Sequence, residues 1–267
     1  SVANRNSVVI ALPQPNGVSP KAIVSFLNSK LVRFYYLTRL RPGVLEGSSR
    51  SHIYPRVLEA LPWVRTLDLM SEQQLVEGYN ELARLAAIAK NNPDEWLLAE
   101  VETRIETSRY KLSDRNLGIN FSTWTPDDVL VTVLTLDGNF IRAELFSLDL
   151  GNADIAELVY KLLILNSDEE ATIPKSIIQK LVIPQDYANL MQTYRQKLAD
   201  FHQVEADFFA VLQQIDDTVY TMFGLADQKA YIESRLASFP LNKLQPRYPW
   251  QTVKPRPIKA YTSDRFA

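Results

Sequence analysis

Cysteine is absent from this 267-residue chain, and histidine occurs only at His52 and His202. The first absence excludes a disulfide framework, thiolate metal sites and a cysteine nucleophile, and it fits a reducing cytoplasm. The second leaves no H-E-x-x-H spacing, so a histidine-based zinc site has nothing to build on. Glycine is scarce, eight residues in all, and G-x-S-x-G, G-x-x-x-x-G-K-[ST] and G-x-G-x-x-G are all missing. That removes the nucleophile elbow and both common phosphate cradles. No stretch approaches 18 consecutive apolar residues, and Ser1 to Arg5 lack the regions of a signal peptide, so the expectation is a cytoplasmic chain with no membrane.

What is present is enough apolar residue, 46%, to bury a real core in one large domain or two small lobes. The net charge of -2 hides a strong segregation. Residues 1–66 hold nine Lys/Arg against Glu46 and Glu59, about +7, and residues 243–267 hold six against Asp264, about +5. The middle is left at about -14. Basic ends around an acidic centre allow a cationic surface for phosphates on a chain of acidic pI. Ordinary clustering of surface charge is the alternative.

Val8 to Leu12 reads as a short buried strand. Ser19-Pro20 is an N-cap followed by proline at the first helical position, and Ile23, Phe26, Leu27, Leu31 and Phe34 make the core face of one helix, with Lys30 and Arg33 on its basic side. The helix exits through Arg39 and Arg41 into a Gly/Ser/Arg-rich exposed loop up to His52. Ser71 to Lys90 and Asp94 to Tyr110 predict two more helices. Val129 to Leu136 and Phe140 to Leu148 flank Asp137-Gly138-Asn139, a hairpin signal, since that turn demands positive φ. Ile155 to Leu165 returns to helix, and Gln185 to Phe223 keeps a nearly strict 3-4 apolar spacing, a helix of roughly 55 Å with Gly224 as its C-cap. Such a helix reaches between lobes or pairs with another. After a short helix through Ala237, the proline-rich tail is expected to be extended, docked or disordered.

The fold class expected is mixed α+β, helix-rich, with two small α/β lobes and a long coiled-coil-like helix. Its parts are a basic helical lobe over 1–120, a small α/β lobe with the hairpin over 121–184, the long helix over 185–225, and a short helix with a basic tail over 226–267.

Catalytic constellations are missing. The adjacent carboxylates Asp127-Asp128, Glu169-Glu170 and Asp216-Asp217 read as solvated pairs. A metal-dependent restriction nuclease needs an acidic residue two positions before lysine plus an upstream aspartate; only Asp227-Gln228-Lys229 has that spacing, and no suitable strand precedes it. No Pro-Pro occurs, so the Pro-Pro-aromatic tetrapeptide that holds a flipped adenine is missing as well.

Three segments together resemble a known family. Phe26-Leu27-Asn28-Ser29-Lys30-Leu31-Val32-Arg33-Phe34-Tyr35-Tyr36 resembles the leucine-asparagine-serine-lysine and aromatic signature of TaqI-like specificity domains, which follow the methyltransferase domain of Type IIG and related restriction-modification enzymes. Ile173-Pro174-Lys175 to Leu181-Val182-Ile183-Pro184, before the long helix, is similar to the I-P close of specificity lobes in these enzymes and in Type I specificity subunits, with an echo at His52-Ile53-Tyr54-Pro55 to Leu61-Pro62. Gln214-Ile215-Asp216-Asp217-Thr218-Val219-Tyr220 to Gly224-Leu225 resembles the family's terminal helix. An internal echo, Phe26-Leu27-Asn28-Ser29 against Ile164-Leu165-Asn166-Ser167, hints at two related lobes.

The resemblance implies a DNA target recognition domain that catalyses nothing itself. Its partners would be double-stranded DNA and the methyltransferase domain of a parent N6-adenine enzyme, which uses S-adenosylmethionine. The methyltransferase itself is missing, which points to an excised domain. The candidate DNA-facing residues are Lys30, Arg33, Arg39 and Arg41, with Arg50, Ser51 and His52 in the loop, and Lys254, Arg256 and Lys259 in the tail, where Arg247 and Trp250 add charge and an aromatic face. Tyr35 and Tyr36 suit either base stacking or a core. Two other classes remain open: a helical scaffold or protein-interaction module, which predicts no salt-dependent DNA affinity, and an enzyme, which requires a pocket with a shifted carboxylate or histidine.

Overall fold

Helix-forming sequence dominates the residues that the computed structural model of this chain describes: 17–40, 67–119, 128–130, 134–143, 146–166, 172–238, 248, 250, 253–254 and 256–266. The architecture is mixed α+β and helix-rich, as expected, with small antiparallel sheets. The expected strand at Val8–Leu12 lies outside the described residues. Two compact units form, each discontinuous in sequence: Ser1–Ile88 with Val204–Arg247, and Ala89–Gln203 with Tyr248–Ala267. Two of the three cuts fall inside helices, whereas the sequence suggests boundaries at 120, 184 and 225. A continuous apolar period does not report where a helix changes packing partners.

In the first unit, the one helix expected from Pro20 is two, α1 (Pro20–Leu27) and α2 (Lys30–Tyr35). Polar side chains make the break. The Asn28 amide donates to the Val24 carbonyl at 2.8 Å and ends α1, and the Ser29 side chain accepts the Val32 N–H and starts α2. A π-helical turn, Tyr36–Leu40, follows. α3 (Leu69–Ala89) packs on the C-terminal part of α7 (Tyr187–Met222), the longest helix among the described residues. Thr218 meets Gln74, and Ile215 and Val211 meet Gly78, so the two helices run antiparallel. Gly78 permits this approach, since a Cβ there would lie 2.7 Å from Ile215 Cγ1. Gly224, at φ 63°, terminates α7 as expected, and α8 (Lys229–Ser238) completes the unit. Phe26, Leu31, Leu37, Leu75, Ile215, Val219 and Ile232 are among its buried core.

The second unit begins at α4 (Pro93–Thr107), capped by the Asn92 side chain. Its strands are β1 (Arg109–Lys111), β2 (Asp128–Leu130), β3 (Thr135–Asp137), β4 (Phe140–Ala143), β5 (Phe146–Asp149), β6 (Thr172–Pro174) and β7 (Val182–Pro184). They pair antiparallel as β1-β7, β2-β6 and β3-β4-β5. The hairpin turns where expected, with Asp137 opposite Phe140 and Gly138 at φ 57°. The first arm is not one long strand, because residues 128–130 pair with β6 instead. Both Ile-Pro dipeptides close a strand, where the missing proline N–H interrupts least. α5 (Ala153–Leu165), α6 (Lys175–Lys180) and the start of α7 cover these sheets around Leu98, Val101, Leu158, Leu162, Ile183 and Tyr194.

Of the three possibilities for the tail, its described residues are docked. Short 3-10 turns at Ile258–Tyr261 and Ser263–Phe266 bury Tyr261, and Thr262 bridges Leu181. Among the described residues no helix is long and apolar enough to cross a membrane.

Candidate nucleic-acid interface

Four of the seven candidates at the first basic end, Arg41, Arg50, Ser51 and His52, lie outside the described residues, as does the Ile53 to Pro62 echo. The other three sit on α2 and the turn after it. Arg39 is exposed on the π-helical turn, whose Thr38 hydroxyl donates to the Phe34 carbonyl at 2.7 Å. Arg33 is half-buried, as are Tyr35 and Tyr36.

Lys30 departs from the expected role. Its ammonium lies 2.9 Å from Glu233 Oε1 on α8 and 3.5 Å from Asp216 Oδ2 on α7, and its backbone N–H donates to Asp216 Oδ1 at 2.7 Å. Partial burial opposes its charge, but the hydrogen bond to Glu233 and the field of Asp216 outweigh this and raise its pKa. A lysine so engaged by carboxylates of its own chain is a poor phosphate contact. Its basic side faces acid that lies about 190 positions away in sequence, which helical periodicity does not report.

The Asp216-Asp217 pair, expected to be solvated, is half so. Asp216 is only 4% exposed, while Asp217 pairs with Lys229 at 2.5 Å. Burial pushes the Asp216 carboxyl above the ordinary carboxylate value, against the pull of the Lys30 N–H and ammonium. Burial, with the nearby carboxylates of Asp216, Glu233 and Asp217, also holds the Tyr220 hydroxyl above the usual phenol range, and that hydroxyl has no hydrogen-bond partner. These shifts follow from an ion-pair network that α2 and α8 close over, so they do not single out acid-base chemistry.

The tail divides likewise. Lys254 and Lys259 are exposed. Arg256 bonds to Glu102 on α4, and Arg265 reaches both Glu102, at 3.3 Å, and Glu106, at 2.5 Å. Lys180 pairs with Asp264 at 2.9 Å. Trp250, expected to offer an aromatic face, is buried; it stacks on Tyr248 with ring centroids 5.0 Å apart, and its carbonyl accepts from the Asn92 amide at 2.6 Å. Arg247 lies outside the described residues. The segregation of charge along the chain is thus partly cancelled in space: Lys30, Arg256 and Arg265 from the basic ends meet acids of the middle. Among the described candidates, Arg39, Lys254 and Lys259 remain exposed.

Sequence reading missed a second polar cluster. Asp94, at the start of α4, accepts from the Tyr194 hydroxyl at 2.5 Å and from Lys161 at 3.2 Å. Arg195, the next residue on α7, bonds to Asp154 and Glu157 on α5. Only the adjacency of Tyr194 and Arg195 on a helix rich in apolar residues signals it. Among the described residues no group of three or more His, Cys, Asp or Glu is placed to hold a metal ion. Asp227 and Gln228 form a 3-10 turn and Lys229 pairs with Asp217, an arrangement without the strand that a metal-dependent nuclease site needs. No protein-family model, no curated protein and no solved structure matches this chain.

Proposed function

We propose that this chain recognises duplex DNA for an adenine-methylating restriction-modification enzyme, presenting a specific site to a methyltransferase and catalysing nothing itself. S-adenosylmethionine would belong to that methyltransferase partner. The single observation that carries the reading is that the three family-like segments each take a defined structural part, and two of them join. Lys30 of the first segment bonds through its backbone N–H and ammonium to Asp216 of the third, and the second segment forms β6, α6 and β7. Arg39, Lys254 and Lys259, exposed, supply cations for phosphates, and the remaining basic candidates of the first end follow Arg39 in sequence.

The scaffold reading draws on a different observation, the neutralisation of Lys30, Arg256 and Arg265 by carboxylates of the chain. Selection from a randomised duplex pool at about 150 mM salt separates the two. Enrichment of one shared motif is the outcome expected of a recognition domain. Recovery of an unenriched pool contradicts it and favours the scaffold.

A further inference from the structure

We infer that Lys30, Asp216 and Glu233 form a latch that positions the arm carrying Arg39, so that the lysine of the family-like signature acts on carboxylates of its own chain and not on a phosphate. This rests on the DNA-recognition reading, because the arm's purpose is taken from it.

α2 has six residues, too few to be stable as an isolated helix. Its start is therefore held from outside. The N–H of Lys30 is one of the donors that a helix N-terminus leaves without an intrahelical partner, and Asp216 Oδ1 accepts it at 2.7 Å. A carboxylate at that end also opposes the positive pole of the helix. The Lys30 side chain then doubles back to the same carboxylate and to Glu233. α8, which carries Glu233, is itself tied to α7 by Lys229 and Asp217 at 2.5 Å. Two helices, α2 and α8, thus converge on neighbouring aspartates of α7. α2 runs directly into the π-helical turn bearing Arg39, so the direction of that turn is set by how α2 is seated. Loss of the Lys30 ammonium would leave Asp216 buried with a weakened set of partners, which unseats α2.

A double-mutant cycle tests this on the full chain, with duplex DNA of mixed sequence at about 50 mM salt and at a temperature where every variant is folded. Lys30→Gln is expected to weaken binding about tenfold, and the same change is expected to cost little once Arg39→Ala is in place. Asp216→Asn keeps an acceptor for the Lys30 N–H and should weaken binding about threefold. Additive losses, with the salt slope of Lys30→Gln falling by about one, would mean that Lys30 touches a phosphate, and would overturn the latch. Hydrogen exchange without DNA is a separate readout: the amides of Leu31 to Tyr36 should exchange faster in Lys30→Gln than in wild type. Unchanged exchange also overturns the latch. Wild-type protein that binds no DNA overturns the recognition reading and the arm's purpose, while exchange alone still decides whether these residues hold α2.

Discussion

Both units end an apolar helix at leucine-asparagine, α1 at Leu27-Asn28 and α5 at Leu165-Asn166. In each, the asparagine amide donates to the carbonyl four residues back, that of Val24 or Leu162, at 2.8 Å. Their surroundings differ. Asn28 is exposed, and Ser29 immediately starts a new helix. Asn166 is 7% exposed, and its side-chain oxygen accepts the backbone N–H of Arg256 at 3.1 Å, so it also fastens the tail. The leucine-asparagine part of the echo in the sequence shares one helix-ending hydrogen bond. What each copy is attached to differs, and that sets how much each unit depends on it.

Among the described residues, the first unit joins an apolar core to a charged junction between helices, and the second docks the tail on its apolar core. The largest expected effect belongs to the second. Tyr261→Ala should cost about 4 kcal/mol by chemical denaturation, because the ring is wholly buried between the tail and the core. A loss under about 1 kcal/mol would mean that the tail is not integral. Next is the asparagine pair itself. Asn166→Ala should cost about 2 kcal/mol, since it orphans a tail N–H as well as the Leu162 carbonyl, and Asn28→Ala about 0.5 kcal/mol at its exposed site. Equal losses would break the contrast drawn between the units.

The smallest effect concerns pH. Burial raises the Asp216 carboxyl above its unfolded value of 3.8, so the folded state holds its proton more tightly than the unfolded state does. The stability tied to that proton is fully present below about 3.8 and is lost as pH rises through the raised folded value. Asp216→Asn does not titrate at this position. The melting temperature of wild type minus that of Asp216→Asn should therefore fall as pH is raised from about 4 toward neutrality. A difference that rises over that window contradicts the assignment.

Local chemistry was legible in the sequence. The Asp137-Gly138-Asn139 turn, the long helix ending at Gly224, and the helix start at Ser19-Pro20 all follow from backbone preferences of a few residues. The break between α1 and α2 was not read, because apolar spacing continues through Asn28-Ser29 while a short side-chain cap interrupts the hydrogen bonding beneath it. Residues 129 and 130 were assigned to the hairpin, since periodicity alone does not choose between neighbouring partners for a strand. The candidate site shows the same limit more sharply. Lys30 and Arg256 are surface cations by residue type, yet each meets a carboxylate more than 150 positions away. Trp250 is buried, and its carbonyl accepts from Asn92, 158 positions away, which no local pattern encodes. Arg39, in contrast, is exposed as its place at a helix exit suggests.

The most direct test of DNA recognition is the affinity of the chain for mixed-sequence duplex at about 50 and 200 mM salt, in wild type and in Arg39→Ala/Arg41→Ala. The account predicts binding that weakens steeply with salt, and a double variant whose salt slope is lower by about two. Wild-type binding that is absent at about 50 mM salt, or that does not change with salt, would contradict it.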